Sequence, residues 1–243
     1  MLAKECIINV VRYFLGCTQT LIAENPEKIL AEIAEECTET LTLMHNGILK
    51  QRNFMNNYLE SVRRQFEYYK MLAEKTMEQV PEEKLFWQFN EESNSIATIV
   101  KHLWGNMLSR WTDFLTTDGE KDWRNRDAEF ENDITSRQEL MNKWNEGWKS
   151  LFTALDQLTE KDLDKEVYIR NQGHTVLDAI NRQLAHYPHH VGQIVFIGKM
   201  VCGNKWTSLS IPKGKSNEFN TDKFSKPKHT EHFTDEILKK KGG

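Results

Sequence analysis

The chain has little of what interrupts or staples a fold: five prolines, twelve glycines and four cysteines among 243 residues. With so few breakers, long stretches are free to be helical. Cys6, Cys17, Cys37 and Cys202 show no C-x-x-C spacing, and three of them fall in the first forty residues. That pattern reads as unpaired thiols in a reducing compartment, with a cytoplasmic location expected. No apolar run approaches the roughly 20 residues needed to span a bilayer. The apolar opening from Cys6 to Cys17 is interrupted by Asn9 and Arg12, and Phe14-Leu15-Gly16-Cys17 follows too short a stretch to act as a lipoprotein signal. Charge of one sign is lacking too. A formal net charge of −4 builds no field to draw in nucleic acid, and Lys239-Lys240-Lys241 reads as a solvated end. The expected partner is therefore a small molecule, with no nucleic acid and no membrane.

What remains, 39% hydrophobic and 28% charged, is an ordinary globular profile in a chain long enough to bury a core. Four helical stretches stand out. From Tyr58, apolar residues recur at Val62, Phe66, Tyr69, Leu72, Ala73, Met77 and Val80 and stop at Pro81. Asn94 or Ser95 caps a second helix with Ile96, Ile99, Val100, Leu103, Met107, Trp111 and Phe114, ending near Asp118-Gly119. Thr135 with Gln138, or Ser136 with Glu139, fits a capping box ahead of Leu140, Trp144, Trp148, Leu151, Leu155 and Leu158. The fourth helix runs from about Thr175 to Cys202. Between the second and third lies a stretch, Gly119 to Asp133, too charged for core, and Val167-Tyr168-Ile169 is a short extended candidate.

The expected architecture is all-α: a four-helix bundle over residues 55–220, with an N-terminal helical extension over 1–54 and a loop-rich C-terminal tail, flexible over 221–243. The repeat Ile29, Ile33, Cys37, Leu41 and Met44 supports helix in the extension.

The fourth helix carries His186-Tyr187-Pro188-His189-His190. His186 and His190, four residues apart, stack on one helix face within reach of one metal ion. The residue after His186 is tyrosine and not glutamate, so the zinc-protease motif and its built-in base are absent. Pro188 costs the helix one hydrogen bond, at about 3 kcal/mol, and a kink there would alter the angle between the two imidazoles. His102 is the candidate third ligand. By helical count it lies off its own apolar stripe, so either it is a surface residue or its helix is covered on a second side and the imidazole lines a groove. His189 reads as surface or outer support, His174 as a cap or orienting group, and His45, His229 and His232 as solvated. Trp144 and Trp148 read as core. Arg124 and Arg126 read as loop residues, with a hold on an anionic substrate as the alternative.

Two segments, Ser95-Ile96 through Val100-Lys101-His102-Leu103-Trp104-Gly105-Asn106 and Ala179-Ile180-Asn181-Arg182-Gln183-Leu184-Ala185-His186 through His190-Val191-Gly192-Gln193-Ile194, resemble the DinB-like (YfiT-like) metalloenzyme superfamily over about residues 55–220. The resemblance implies a four-helix bundle with a three-histidine divalent metal site at His102, His186 and His190. It also implies S-transfer from a low-molecular-weight thiol cosubstrate, such as bacillithiol, mycothiol or glutathione, as known for some members. Pro188 and the N-terminal fifty residues depart from the pattern. Zinc or nickel is the expected metal. Asn106, Arg110, Arg182 and Gln193 are candidate outer supports or substrate contacts, each beside a ligand or about one turn from it. Two rival readings are a hydrolase using metal-bound water and a non-enzymatic metal-binding stress-response bundle. A homodimer is one further expectation, since bundle relatives often pair through helix faces.

Overall fold

A computed structural model of the chain describes residues 58–238 together with Thr38, Thr40, Thr42 and Leu43. The chain divides into two units, Met1–Phe54 and Met55–Gly243. In the first, the four described residues are helical, and Thr42 donates its hydroxyl to the Thr38 carbonyl at 2.8 Å. The repeat at Ile29 to Met44, His45 and three of the cysteines lie outside the described residues.

The second unit is mostly helical. Helix α1 occupies residues 58–79, α2 Ile96–Trp111, α3 Arg137–Asp156 and α4 Val176–Cys202. Three of the starts have a local cause. Ser95 accepts the Thr98 N–H at 3.0 Å, Ser136 the Glu139 N–H at 3.2 Å and Thr175 the Asp178 N–H at 3.0 Å, so three N-termini have an otherwise unpaired donor satisfied by a side chain. At the other end of α4, Gly203 takes φ +54, a backbone setting that disfavours any side chain.

Two helix ends differ from the sequence reading. Helix α2 stops at Trp111, because Thr112 turns extended and Asp113 adopts φ +50, its carbonyl then accepting the Thr116 and Thr117 N–H groups at 3.0 Å. Phe114 therefore packs from a turn, its ring 4.8 Å from that of Trp111. Helix α3 ends at Asp156, leaving the buried Leu158 in the following turn.

The fold is also not purely helical. Strands β1 (Glu166–Ile169) and β2 (Gln172–Thr175) pair antiparallel, Val167 opposite His174, through a two-residue turn in which Arg170 and Asn171 both take positive φ. Asp118 holds that turn by accepting both their N–H groups at 2.8 Å.

Beyond residue 220, where the sequence reads as flexible tail, the described chain is structured: α5 (Ser216–Phe224) is followed by a segment that docks on α1, ending in α6 (Asp235–Leu238). Asp235 pairs with Arg64 at 2.6 Å, Thr234 is fully buried, and His232, read as solvated, lies 3.2 Å from the Ser61 hydroxyl. Among the described residues no helix is long and apolar enough to cross a membrane.

The core gathers where the four long helices meet. Phe66 of α1, Trp144 and Trp148 of α3 and Tyr187 of α4 are at most 1% exposed, with ring centroids 5.4–6.2 Å apart. The Tyr187 hydroxyl accepts the Trp111 indole N–H at 3.0 Å and donates to Asn106 Oδ1 at 3.1 Å, tying α2 to the same cluster. Trp148→Ala removes the ring shared by three of these contacts and is expected to cost about 3–5 kcal/mol, read as a lower urea midpoint.

Candidate metal centre

Helix α2 is covered on nearly every side. All of its residues except Trp104 and Leu108 are buried, including Lys101, His102, Asn106, Ser109 and Arg110. The second cover is the charged stretch Gly119–Asp133, which runs back along the helix. Ser109 donates to the Gly119 carbonyl at 2.7 Å, Lys101 pairs with Asp133 at 2.6 Å, and Ser95 donates to Asn132 at 2.7 Å. Between these anchors a single turn, Asp127–Phe130, lies over His102. The Phe130 ring stacks on the imidazole with centroids 5.0 Å apart, and Arg126 sits over the outer side of Phe130 at 5.1 Å. Of the two readings of His102, the covered groove is the one found.

Beneath that cover the three imidazoles converge. His186 Nε2 lies 3.1 Å from His190 Nε2 and 3.4 Å from His102 Nε2, and one ring nitrogen from each lies within 4.8 Å of the others. Two nitrogens held 2.0–2.1 Å from one tetrahedral ion stand about 3.4 Å apart, so the spacing suits a shared cation. Helix α4 passes through Pro188 without ending, and the imidazoles on either side of the proline still meet.

The opposite ring nitrogens favour one tautomer for each histidine. His102 Nδ1 faces Glu129 Oε2 at 2.9 Å, His190 Nδ1 faces Gln193 Oε1 at 2.9 Å, and His186 Nδ1 faces Gln183 Oε1 at 3.4 Å. Each partner is an oxygen acceptor, so each Nδ1 carries the proton and each Nε2 presents a lone pair. Three lone pairs pointed at one another repel. A divalent cation between them removes the repulsion, and imidazoles whose far nitrogen donates to a carboxylate or amide oxygen are the usual ligands of such an ion.

Electrostatics agree with neutral ligands. Burial pushes the His186 imidazole down to about 3, helped by its neighbours His190 and His102, and pushes His190 down to about 4. At Glu129 burial acts upward, but the hydrogen bonds from His102 and Arg124 outweigh it and hold the carboxyl below its ordinary range. The Arg124 side chain, 2% exposed, forks onto Glu129 through Nε to Oε1 at 2.7 Å and Nη2 to Oε2 at 3.0 Å.

Of Asn106, Arg110, Arg182 and Gln193, the last alone hydrogen-bonds one of the three histidines, His190. Asn106 is buried but bonds to Tyr187. Arg110 is buried and donates Nη1 to the Gly119 carbonyl and, at 3.3 Å, to Glu120. Arg182 lies exposed on the outer face of α4. His189, also exposed, meets Gln193 Nε2 at 3.2 Å and so helps orient that amide, while His174 pairs with Val167 in the hairpin and caps nothing. Glu129 and Gln183 were missed, and so was the burial of Arg124 in a stretch read as surface loop. One signal was present. Gly105 stands in the interior of α2, one turn after His102, and a Cβ there would lie 2.3 Å from Glu129 Oε1 and 2.8 Å from its Cδ. Glycine in a helix interior marks a close approach, here that of the carboxylate.

A family model, Protein of unknown function (DUF1572), matches residues 53–215. The chain belongs to this family. The DUF1572 match spans α2, the covering stretch and α4, and with them His102, Glu129, His186 and His190. No curated protein and no solved structure matches the chain.

Two predictions follow from the geometry. The unfolded chain takes up protons at His186 and His190 near 6.5, while the folded chain takes them up only near 3 to 4. Between those values protons favour unfolding, so in chelator the melting temperature falls as the pH drops below about 6.5, and a His186→Gln/His190→Gln variant shows a flatter profile. Gly105→Ala gains up to about 1 kcal/mol of helix propensity yet displaces Glu129. Its metal affinity is expected to fall about tenfold in a chelator competition.

Proposed function

We propose that this chain is a metal-dependent enzyme built as a four-helix bundle of the DinB-like type, and that it joins a low-molecular-weight thiol to an electrophilic small molecule. The observation that carries the reading is the meeting of three Nε2 lone pairs, two of the distances being 3.1 and 3.4 Å, with each opposite nitrogen held by an oxygen. Supporting it are the resemblance of the two ligand-bearing segments to that superfamily and the family match that spans both of them. Zinc or nickel suits a donor set of three imidazoles.

A divalent ion held by three neutral imidazoles keeps coordination positions open and lowers the pKa of a thiol or water that occupies one. The protein's own part is orientation and exclusion. Glu129, Gln183 and Gln193 fix the three rings, and Phe130 closes the side of His102 that faces the covering turn. His102 is 5% exposed, whereas His186 and His190 are half-buried, so the centre opens on the α4 side, and a substrate enters there.

The decisive experiment begins with elemental analysis and melting of the wild type and of His102→Ala, His186→Ala and His190→Ala. At a hundredfold excess of zinc or nickel over its Kd, binding adds about 2.7 kcal/mol, a rise of about 5–10 °C for a domain of this size. Each alanine variant loses that rise. Assays with thiol and electrophile panels then give conjugation that chelator abolishes. Ester or amide turnover that needs no thiol points to metal-assisted hydrolysis instead, and stoichiometric metal with no turnover of either kind leaves a binding protein.

A further inference from the structure

Glu129 does not reach His102 unaided. Its Oε2 accepts two donors, His102 Nδ1–H at 2.9 Å and Arg124 Nη2–H at 3.0 Å, while Arg124 Nε holds Oε1 at 2.7 Å. The guanidinium thus grips both carboxylate oxygens, and its plane sets theirs. Arg124 is held in turn. Its Nη1 donates to Glu120 Oε2 at 3.2 Å, and that oxygen also accepts Arg110 Nη1 and Arg170 Nη2, each at 3.3 Å. A continuous run of charge-assisted bonds leads from the hairpin turn, through Glu120, Arg124 and Glu129, to a ligand imidazole.

We propose that Arg124 is a positioning residue for the metal centre: by clamping Glu129 it fixes the ring orientation of His102 and thereby sets how tightly the site holds its ion. The inference rests on the three-histidine reading and adds to it a residue that touches no ligand.

The physical case is geometric. A glutamate side chain has three rotatable bonds, and on the helix side Glu129 occupies the space that a side chain at residue 105 would fill. A single hydrogen bond to His102 leaves the carboxylate free to rotate about its own axis, and a two-point fork does not. Lysine offers a point charge in place of the fork and cannot supply the same constraint. A merely structural role, in which Arg124 and Glu129 form a buried ion pair that steadies the covering stretch, predicts a lower melting temperature with unchanged metal affinity in the protein that stays folded. Lys101 provides the comparison, since it pins the same stretch to α2 through Asp133 and Glu131 without joining the bonds that reach His102.

The test uses the full chain and zinc, with Kd read by competition against a chelating dye and folding checked by circular dichroism of the metal-free protein. Arg124→Gln and Glu129→Gln are each expected to weaken binding about 10- to 100-fold. The double variant is expected to bind no more than about threefold more weakly than Glu129→Gln alone, because both changes break one chain of contacts. Arg124→Lys falls with Arg124→Gln and also serves if the glutamine variant does not fold. Lys101→Met stays within about threefold of wild type. Wild-type affinity in Arg124→Gln or in Arg124→Lys, a double variant whose losses multiply, or an equal loss in Lys101→Met overturns the assignment. A wild-type protein that binds neither zinc nor nickel overturns the metal reading itself, before any variant is compared.

Discussion

The rotational setting of α4 depends on Tyr187. Its ring is fully buried against Phe66 and Trp148, and its hydroxyl is fastened to Trp111 and Asn106 of α2. Because successive residues turn by 100° around a helix, locking residue 187 toward the core also fixes the directions of residues 186 and 190. They come out about 40° apart on the same side of the tyrosine, toward α2. The motif His186-Tyr187-Pro188-His189-His190 therefore interleaves two functions: the aromatic residue anchors the helix and the imidazoles beside it take their aim from that anchor.

Opposite α4, the centre depends on charges placed inside. Arg124 and Glu129 are among the least exposed side chains of their stretch, each 5% or less. Burying such groups singly is costly, but here each carboxylate and guanidinium has partners on more than one side, which offsets the loss of water. Their burial shapes the chemistry of the site: a carboxylate sealed from solvent keeps its hydrogen bond to His102 at full strength, and the Phe130 ring keeps water from that side of the imidazole. Hydrophobic packing alone would leave His102 free to turn.

Much of the scaffold could be read in advance. Ser95 and Ser136 were among the expected caps, and most of the stripe from Val62 to Val80 is buried. These are local effects, settled by hydrogen bonds three residues long and by a period of 3.6. Reading failed where a residue answers to a distant one. Asn106 and Arg110, one and two turns from His102, bond to Tyr187 and Glu120 in place of the histidines. Gln183 and Gln193, spaced three residues before His186 and after His190, could each be named by spacing, yet only the second was. The hairpin at Glu166–Thr175 was half seen, since β2 reads Gln-Gly-His-Thr and is only held in place by pairing with β1 and by Asp118.

The amino-acid order by itself determined where the four long helices lie, how two of them begin, and that two imidazoles share one face of the last. Periodicity and capping act within a few residues, and so they are written along the chain. Only the tertiary structure decided that His102 joins that pair, that Glu129 and Gln183 hold the rings, and that Arg124 and Glu129 of a strongly charged stretch turn their side chains inward. Those outcomes turn on which surfaces are covered and by what, and a segment twenty-seven residues from His102 reaches its imidazole only after the chain has folded back along α2.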